Sequence, residues 1–267
     1  MNSRFLTTEE DANEARAFMD LHRISPRDFR DEVQFDCLPI GGGCAISLPD
    51  APAIGLNRIL GLVSVEHLDT AFEWIRRKAG NRFLQINVNV VSSDVRHWIE
   101  TRNLQSHGPG WAKLVCGTPL SNSPVGVRTR KVAIGEAALF GAMMCEGFNF
   151  PPTLAPLWSA IVGKEGWSCF FALDREVPIG TGTMFVSGRH AWLGGGTTLP
   201  AFRNRGVQKA LIQARTETGL EQGVTMFVVE TEVPCAGRPN VSYQNLRKMG
   251  FGHAYDRVNL KVVDDQL

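Results

Sequence analysis

The stretch Ala191-Trp-Leu-Gly-Gly-Gly-Thr-Thr-Leu-Pro-Ala-Phe-Arg203-Asn-Arg-Gly206-Val-Gln-Lys-Ala-Leu211 sets the reading of the whole chain. A strand enters at its head, Pro200 turns the chain, and a helix begins at about Arg205 or Gly206. In that helix Val207, Ala210, Leu211 and Ala214 fall at the spacing of one buried face. The first turn of a helix exposes backbone N–H groups that have no acceptor within the helix, and the macrodipole adds positive potential there. Gly206 leaves a ligand room to approach the backbone, and Arg203 and Arg205 bring cationic side chains beside those amides. Together these features make a cradle for a pyrophosphate.

Helices and strands continue on both sides of this segment. Upstream, a strand at 127–132 precedes a helix containing Ala137, Leu139, Met143 and Met144. Pro151-Pro152 ends it, and a second helix runs near 154–162. Strands at 167–173 and 182–186 are joined through the turn residues Asp174-Arg175-Glu176-Val177-Pro178, and a strand covers 191–198. Downstream of the cradle, the helix stops by Gly223, followed by a strand at 226–233, a helix at 241–248 and a last strand at 255–263. This order predicts an α/β (α+β) domain with a mixed β-sheet flanked by helices.

The N-terminal part shows a shadow of that order. Leu68, Ala71, Phe72 and Ile75 mark a helix ending near Gly80, and 83–91 alternates between apolar and polar residues as a strand does. A short helix with Val95, Trp98 and Ile99 is capped by Ser92 or Ser93, and 111–115 is a strand. The repeated helix-strand-helix-strand succession suggests a duplication. The segment 117–127, rich in Pro, Gly and Ser, reads as a linker, giving domains 1–116 and 128–267. The glycines Gly41-Gly42-Gly43 are not followed by an arginine-glycine helix start, so the first domain lacks a cradle and has an accessory role.

A second block joins the first: Asn240-Val-Ser242-Tyr243-Gln-Asn245-Leu246-Arg-Lys-Met-Gly250-Phe251. The two blocks resemble the GNAT (GCN5-related N-acetyltransferase) superfamily, whose signature Arg/Gln-x-x-Gly-x-Gly/Ala follows the fourth strand of its fold. Arg203 and Gly206 match that signature, and Gln208 stands where Gly or Ala is usual. The resemblance covers about 128–267; with the repeated order above, the expected architecture is a tandem of a degenerate N-terminal copy and an intact C-terminal unit. It further implies acetyl-CoA as co-substrate, its pyrophosphate on Arg203, Asn204, Arg205, Gly206, Val207 and Gln208. The pantetheine arm would pair with Gly196, Thr197 and Thr198, and Asn240 and Asn245 would contact the cofactor. The implied reaction is direct attack of an amine on the thioester in a ternary complex.

Catalytic groups are less evident. Relatives in the superfamily carry a carboxylate on the fourth strand and a Tyr four residues before the Gly of Gly-Phe. Here 191–199 holds no carboxylate, and Leu246 takes the place of the Tyr. The nearest substitutes are Glu230, with Glu232 on the same strand face, as base and Tyr243 as acid; a water chain could replace both. The expected acceptor is a primary amine of a small molecule. A non-catalytic acyl-CoA-binding module and a protein N-terminal or lysine acetyltransferase are the alternatives.

Composition narrows the remaining classes. The 267 residues are 43% hydrophobic and 21% charged, with 27 Gly and 14 Pro, an ordinary globular balance. Lys plus Arg is 28 against 27 Asp plus Glu, so no broad field exists for nucleic acid or an anionic membrane. No Gly-x-Gly-x-x-Gly or Gly-Lys-Ser/Thr loop is present, which excludes dinucleotide and kinase-type phosphate sites. His190 and His253 are isolated and no metal-ligand spacing occurs, so no metal is expected. The six cysteines form no Cys-x-x-Cys pair, and most sit in apolar surroundings. With an acidic N-terminal stretch and no long apolar run, the expected location is cytoplasmic.

Overall fold

The computed structural model describes residues 8–119, 126–237 and 239–263. The chain folds as two compact units that no single cut separates. The first holds Arg27–Ala112, the segment before it up to Arg23, and the chain from Tyr255 onward. The second holds Lys113–Ala254 with Ile24–Pro26. Residues 113–116 join the second unit, and 255–263 join the first. Residues 120–125 of the segment 117–127 lie outside the described residues.

In the first unit, α1 (Glu9–Ile24) and α2 (Arg27–Glu32) precede the hairpin β1 (Asp36–Ile40) and β2 (Gly43–Ser47). Gly41 and Gly42 form its two-residue turn with φ of 57° and 84°. That left-handed geometry is natural to glycine, so the Gly-Gly pair was a hairpin signal in the sequence. Next come β3 (Asn57–Leu60), α3 (Val65–Ile75), β4 (Phe83–Ile86), α4 (Ser93–Thr101) and β5 (Gln105–Ser106). The sheet runs β1-β2-β3-β4 and closes with the chain's last strand, where Val258 stands opposite Ile86. Here β3 and β4 pair parallel, while β1–β2, β2–β3 and the pairing with the last strand are antiparallel. Ser92, rather than Ser93, caps α4, its Oγ accepting the Val95 N–H. The strand expected over 83–91 stops at Ile86, because Asn87 Oδ1 accepts the Asn89 N–H at 3.1 Å and starts a turn.

Ile59, Leu68, Ala71, Ile75, Leu84, Val95 and Trp98 form the apolar core of this unit. Behind it lies a buried polar cluster. The Glu14 carboxylate accepts from Arg58 and, at 2.8 Å, from Arg257. Arg58 also donates to Gln85, and Gln85 donates to Asn259 at 2.8 Å. Arg257 reaches Asp11 at 2.9 Å. The side chains of Glu14, Arg58 and Arg257 are at most 1% exposed.

The second unit contains most of β6 (Trp111–Cys116), then β7 (Arg128–Lys131), α5 (Ala137–Phe148), α6 (Ala155–Ser159), β8 (Trp167–Asp174) and β9 (Val177–Ser187). It continues with β10 (His190–Trp192), β11 (Thr197–Thr198), α7 (Val207–Glu221), β12 (Met226–Glu232), α8 (Val241–Lys248) and the start of β13 (Gly252–Lys261). The sheet order is β6-β12-β10-β9-β8-β7, with β11 on β9. β7 through β10 pair antiparallel, β8–β9 and β9–β10 as hairpins, and β10 lies parallel to β12. Mixed sheets flanked by helices, as expected, build both units. A strand, a helix and a parallel neighbouring strand recur in each, as β3-α3-β4 and as β10-α7-β12.

Two strand expectations change in detail. β9 runs from Val177 rather than 182, because Asp174 pairs Val177 across a two-residue turn with Arg175 at φ 55°. The single strand expected over 191–198 is broken into β10 and β11. The face of α7 holding Val207 and Leu211 packs on Phe170, Ala172 and Ile179. α5 ends at Asn149, left-handed at φ 54°, just before Pro151.

All six cysteines are free thiols; four are buried, Cys37 is half-buried and Cys235 is exposed. Burial pushes Cys145 up to about 11 and Cys169 up to about 12. Among the described residues, no helix is long and apolar enough to cross a membrane.

Candidate functional site

The break between β10 and β11 shapes one wall of the site. Trp192 pairs with Phe185 and Thr197 with Thr181, so four residues, 193–196, oppose three, 182–184. That is a β-bulge, which bends a strand and frees part of it from the ladder. Gly195 sits there at φ 55°, and the Thr183 N–H still reaches Gly194 O at 3.0 Å. On the other side Leu193 N–H donates to Val228 O of β12 at 2.8 Å.

The chain then makes a 3₁₀ turn over Pro200–Phe202 and enters α7 through Asn204 at φ 62° and Gly206 at φ 82°. Gly206 is the N-cap and supplies no side-chain cap bond, and the first amide closed within the helix is Ala210 N–H on Gly206 O. The N–H groups of the first turn are therefore left for a ligand. In the first unit the corresponding helix start differs. The Ser64 side chain accepts from His67 N–H at the start of α3, and only residues 61–64 connect it to β3. The start of α3 is therefore not a comparable cradle.

Gly196, Thr197, Thr198, Arg203, Asn204, Gly206, Val207, Gln208 and Asn245 all line one open cavity of about 550 Å³ at the α7 N-terminus. Lys209, Val241 and Ser242 complete the lining. No carboxylate is among these residues, while Arg203 and Lys209 are cations. With the positive end of α7, the cavity is suited to an anion. Lys209 escaped the sequence reading, although a cation in the first turn of the cradle helix was visible there.

Gln208, where the GNAT signature has Gly or Ala, turns sideways. Its Nε2 donates to Ser242 Oγ and its Oε1 accepts from Asn245 Nδ2, both at 2.7 Å. It thus ties α7 to α8 and fixes the orientation of Asn245. Arg205 and Asn240 do not line the cavity. Arg205 donates to Asp174 at 3.0 Å, with its guanidinium 5.3 Å from the Phe202 ring centre. Asn240 caps α8: its Oδ1 accepts the Tyr243 N–H at 2.9 Å, and its Nδ2 donates to Thr231 Oγ1 and Glu232 O. Replacing Asn240 with Ala should therefore cost about 1–2 kcal/mol in stability, as cap losses do. Urea unfolding measures it; a change near zero would remove this cap from the account.

The residues expected to carry proton transfer lie elsewhere in the unit. Both Glu230 oxygens accept from the Trp192 indole N–H, at 3.1 and 3.0 Å, and Lys113 Nζ lies 3.6 Å from Oε2. The Glu230 side chain is 7% exposed. Tyr243, in the first turn of α8, is half-buried with its ring centre 6.4 Å from that of His253. Leu246 is buried in the core. Among the described residues no group of three His, Cys, Asp or Glu is placed to hold a metal ion.

Residues 140–251, which contain the cavity, match the family model described as "Acetyltransferase (GNAT) family". These residues form a GNAT acetyltransferase domain. Solved structures similar to most or nearly all of the chain share its fold. One is a GCN5-related N-acetyltransferase from Kribbella flavida, 15% identical, covering 95% of this chain and 96% of its own at a TM-score of 0.62. Another is a tandem GNAT protein from the clavulanic acid biosynthesis pathway, 12% identical, with 97% and 96% covered and a TM-score of 0.57. A third, a GCN5-related N-acetyltransferase from Sphaerobacter thermophilus, is 18% identical over 74% of this chain and 66% of its own, at a TM-score of 0.55. No curated protein matches the chain by sequence. The GNAT domain begins at the helix α5 and ends at Phe251, so the cradle and α8 lie wholly within it.

Proposed function

We propose that the chain is an N-acetyltransferase that moves the acetyl group of acetyl-CoA to a primary amine of a small molecule by direct attack in a ternary complex. The observation that carries this reading is the carboxylate-free cavity at the uncapped start of α7, edged by the bulged strand and lined by Arg203 and Lys209. In this reading the pyrophosphate sits on the amides that follow Gly206, and Arg203 and Lys209 balance its charge. The pantetheine arm runs along Gly196, Thr197 and Thr198. The amine nitrogen bonds to the thioester carbonyl carbon and gives up a proton, the C–S bond breaks, and the departing thiolate takes up a proton. The balanced net charge of +1 supports a small-molecule acceptor over a nucleic acid or membrane surface, and the unpaired cysteines support a cytoplasmic setting.

A second reading, a non-catalytic acyl-CoA-binding module, is favoured by the engaged Glu230 carboxylate and by Leu246 in the core. Release of free thiol from acetyl-CoA across a panel of small amines, run beside calorimetric binding, separates the two. Amine-dependent release establishes the transferase; binding with no release for any amine selects the module.

Tyr243 is the remaining candidate acid. A thiolate whose conjugate acid resembles cysteine, at about 8.5, leaves readily and takes its proton from water near neutral pH. Tyr243→Phe should then lower kcat by less than about tenfold, below the 10²–10⁴-fold range of general acid catalysis. A larger loss at unchanged acetyl-CoA affinity would assign the acid to Tyr243.

A further inference from the structure

On α7, Arg215 follows Leu211 by one turn and so points to the core face of the helix. It is 3% exposed, and no carboxylate is among its partners. Burial pulls its guanidinium down to about 10. A cation this deep is costly unless its donors find acceptors. Nε donates to Leu211 O at 2.9 Å, within its own helix, while Nη1 donates to Thr183 O at 3.1 Å and Gly194 O at 3.0 Å. The last two carbonyls face each other across the bulge. In an unbroken antiparallel ladder, Thr183 O would accept an N–H from the facing strand. The extra residue in 193–196 shifts that register. Arg215 supplies a donor at the place where the ladder lapses. Two glycines make room for it. A Cβ on Gly182 would stand 3.1 Å from Arg215 Nε, and one on Gly196 would stand 3.4 Å from Nη2.

We propose that Arg215 is a positioning residue, which holds the bulge in the form that presents Gly196, Thr197 and Thr198 to the arm of coenzyme A. This rests on the acetyl-CoA reading above, and it adds a residue outside the cavity lining. Arg215 touches neither cofactor nor substrate in this arrangement. It acts by fixing a strand that would otherwise rejoin β9 or leave Thr183 O unsatisfied in the core.

The test uses the full chain with Arg215→Met, which keeps length and loses the donors, and Arg215→Lys, which keeps the charge and shortens the reach. Calorimetry compares coenzyme A with 3′-phosphoadenosine 5′-diphosphate, which carries the pyrophosphate without the arm. Coenzyme A should bind at least about tenfold more weakly to Arg215→Met while the nucleotide changes by less than about twofold, with Arg215→Lys between. Without ligand, the Thr183 amide should exchange with solvent at least about tenfold faster in Arg215→Met, and the β8 amides should not change. Unchanged coenzyme A affinity, or an equal loss for both ligands, overturns the proposal. Should Arg215→Met fail to fold, the same comparison in Arg215→Lys decides. A wild-type protein that binds neither ligand overturns the acetyl-CoA reading instead, and the exchange measurement still decides whether Arg215 holds the bulge.

Discussion

Gly206→Val is expected to weaken coenzyme A binding by more than about a hundredfold while leaving the fold intact. Two effects add. At φ 82° a β-branched residue is strained by about 1–2 kcal/mol, so the entry to α7 shifts. The new side chain also occupies the cavity that Gly206 lines, beside the amides that would hold the pyrophosphate. Hydrogen bonds to charged groups are each worth about 1.5–3 kcal/mol, and losing two of them exceeds a hundredfold. Calorimetry with coenzyme A measures the loss, and circular dichroism checks that the helices persist. A folded variant with unchanged affinity would sink the cradle.

Glu14→Ala should destabilise the first unit by about 3–5 kcal/mol, the range for breaking one partner out of a buried ion pair. Glu14 stands between Arg58 and Arg257, and all three side chains are at most 1% exposed. Removing the carboxylate leaves two guanidinium groups facing each other without their shared acceptor. Arg58 keeps Gln85 and Arg257 keeps Asp11, which limits the loss but does not replace the charge. Native-state hydrogen exchange on the amides of β3 and β4 reads the stability of this unit apart from that of the second. A loss below about 1 kcal/mol would show that the two arginines need no central anion. Because the cavity and the family match both lie in the second unit, the coenzyme A binding proposed above gives a separate readout.

The site was legible where its geometry is local. A Pro turn, a left-handed Gly and a helix with an apolar face are set by neighbouring residues, so 199–211 could be read in order. The same holds for α3 and α4, whose caps Ser64 and Ser92 precede their apolar spacing. The hairpin at Gly41-Gly42 was equally local, but flanking strands without alternation hid it; β2 is buried at every position. By contrast, Gln208 fits the loop despite its size because Ser242 and Asn245 take its amide, and those partners lie on another helix.

By itself the sequence determined a mixed α/β fold and the helix start with its glycine and cations. Each is fixed by backbone preference and side-chain spacing within a few turns of chain. Only the tertiary structure decided that Tyr255–Val263 join the first unit, that Glu230 is held by Trp192, and that Arg215 meets Thr183 O and Gly194 O. A buried polar group takes whichever partner the fold brings to it. Glu230 and Trp192, or Arg215 and Thr183, meet only after strands and helices distant in sequence have paired and packed.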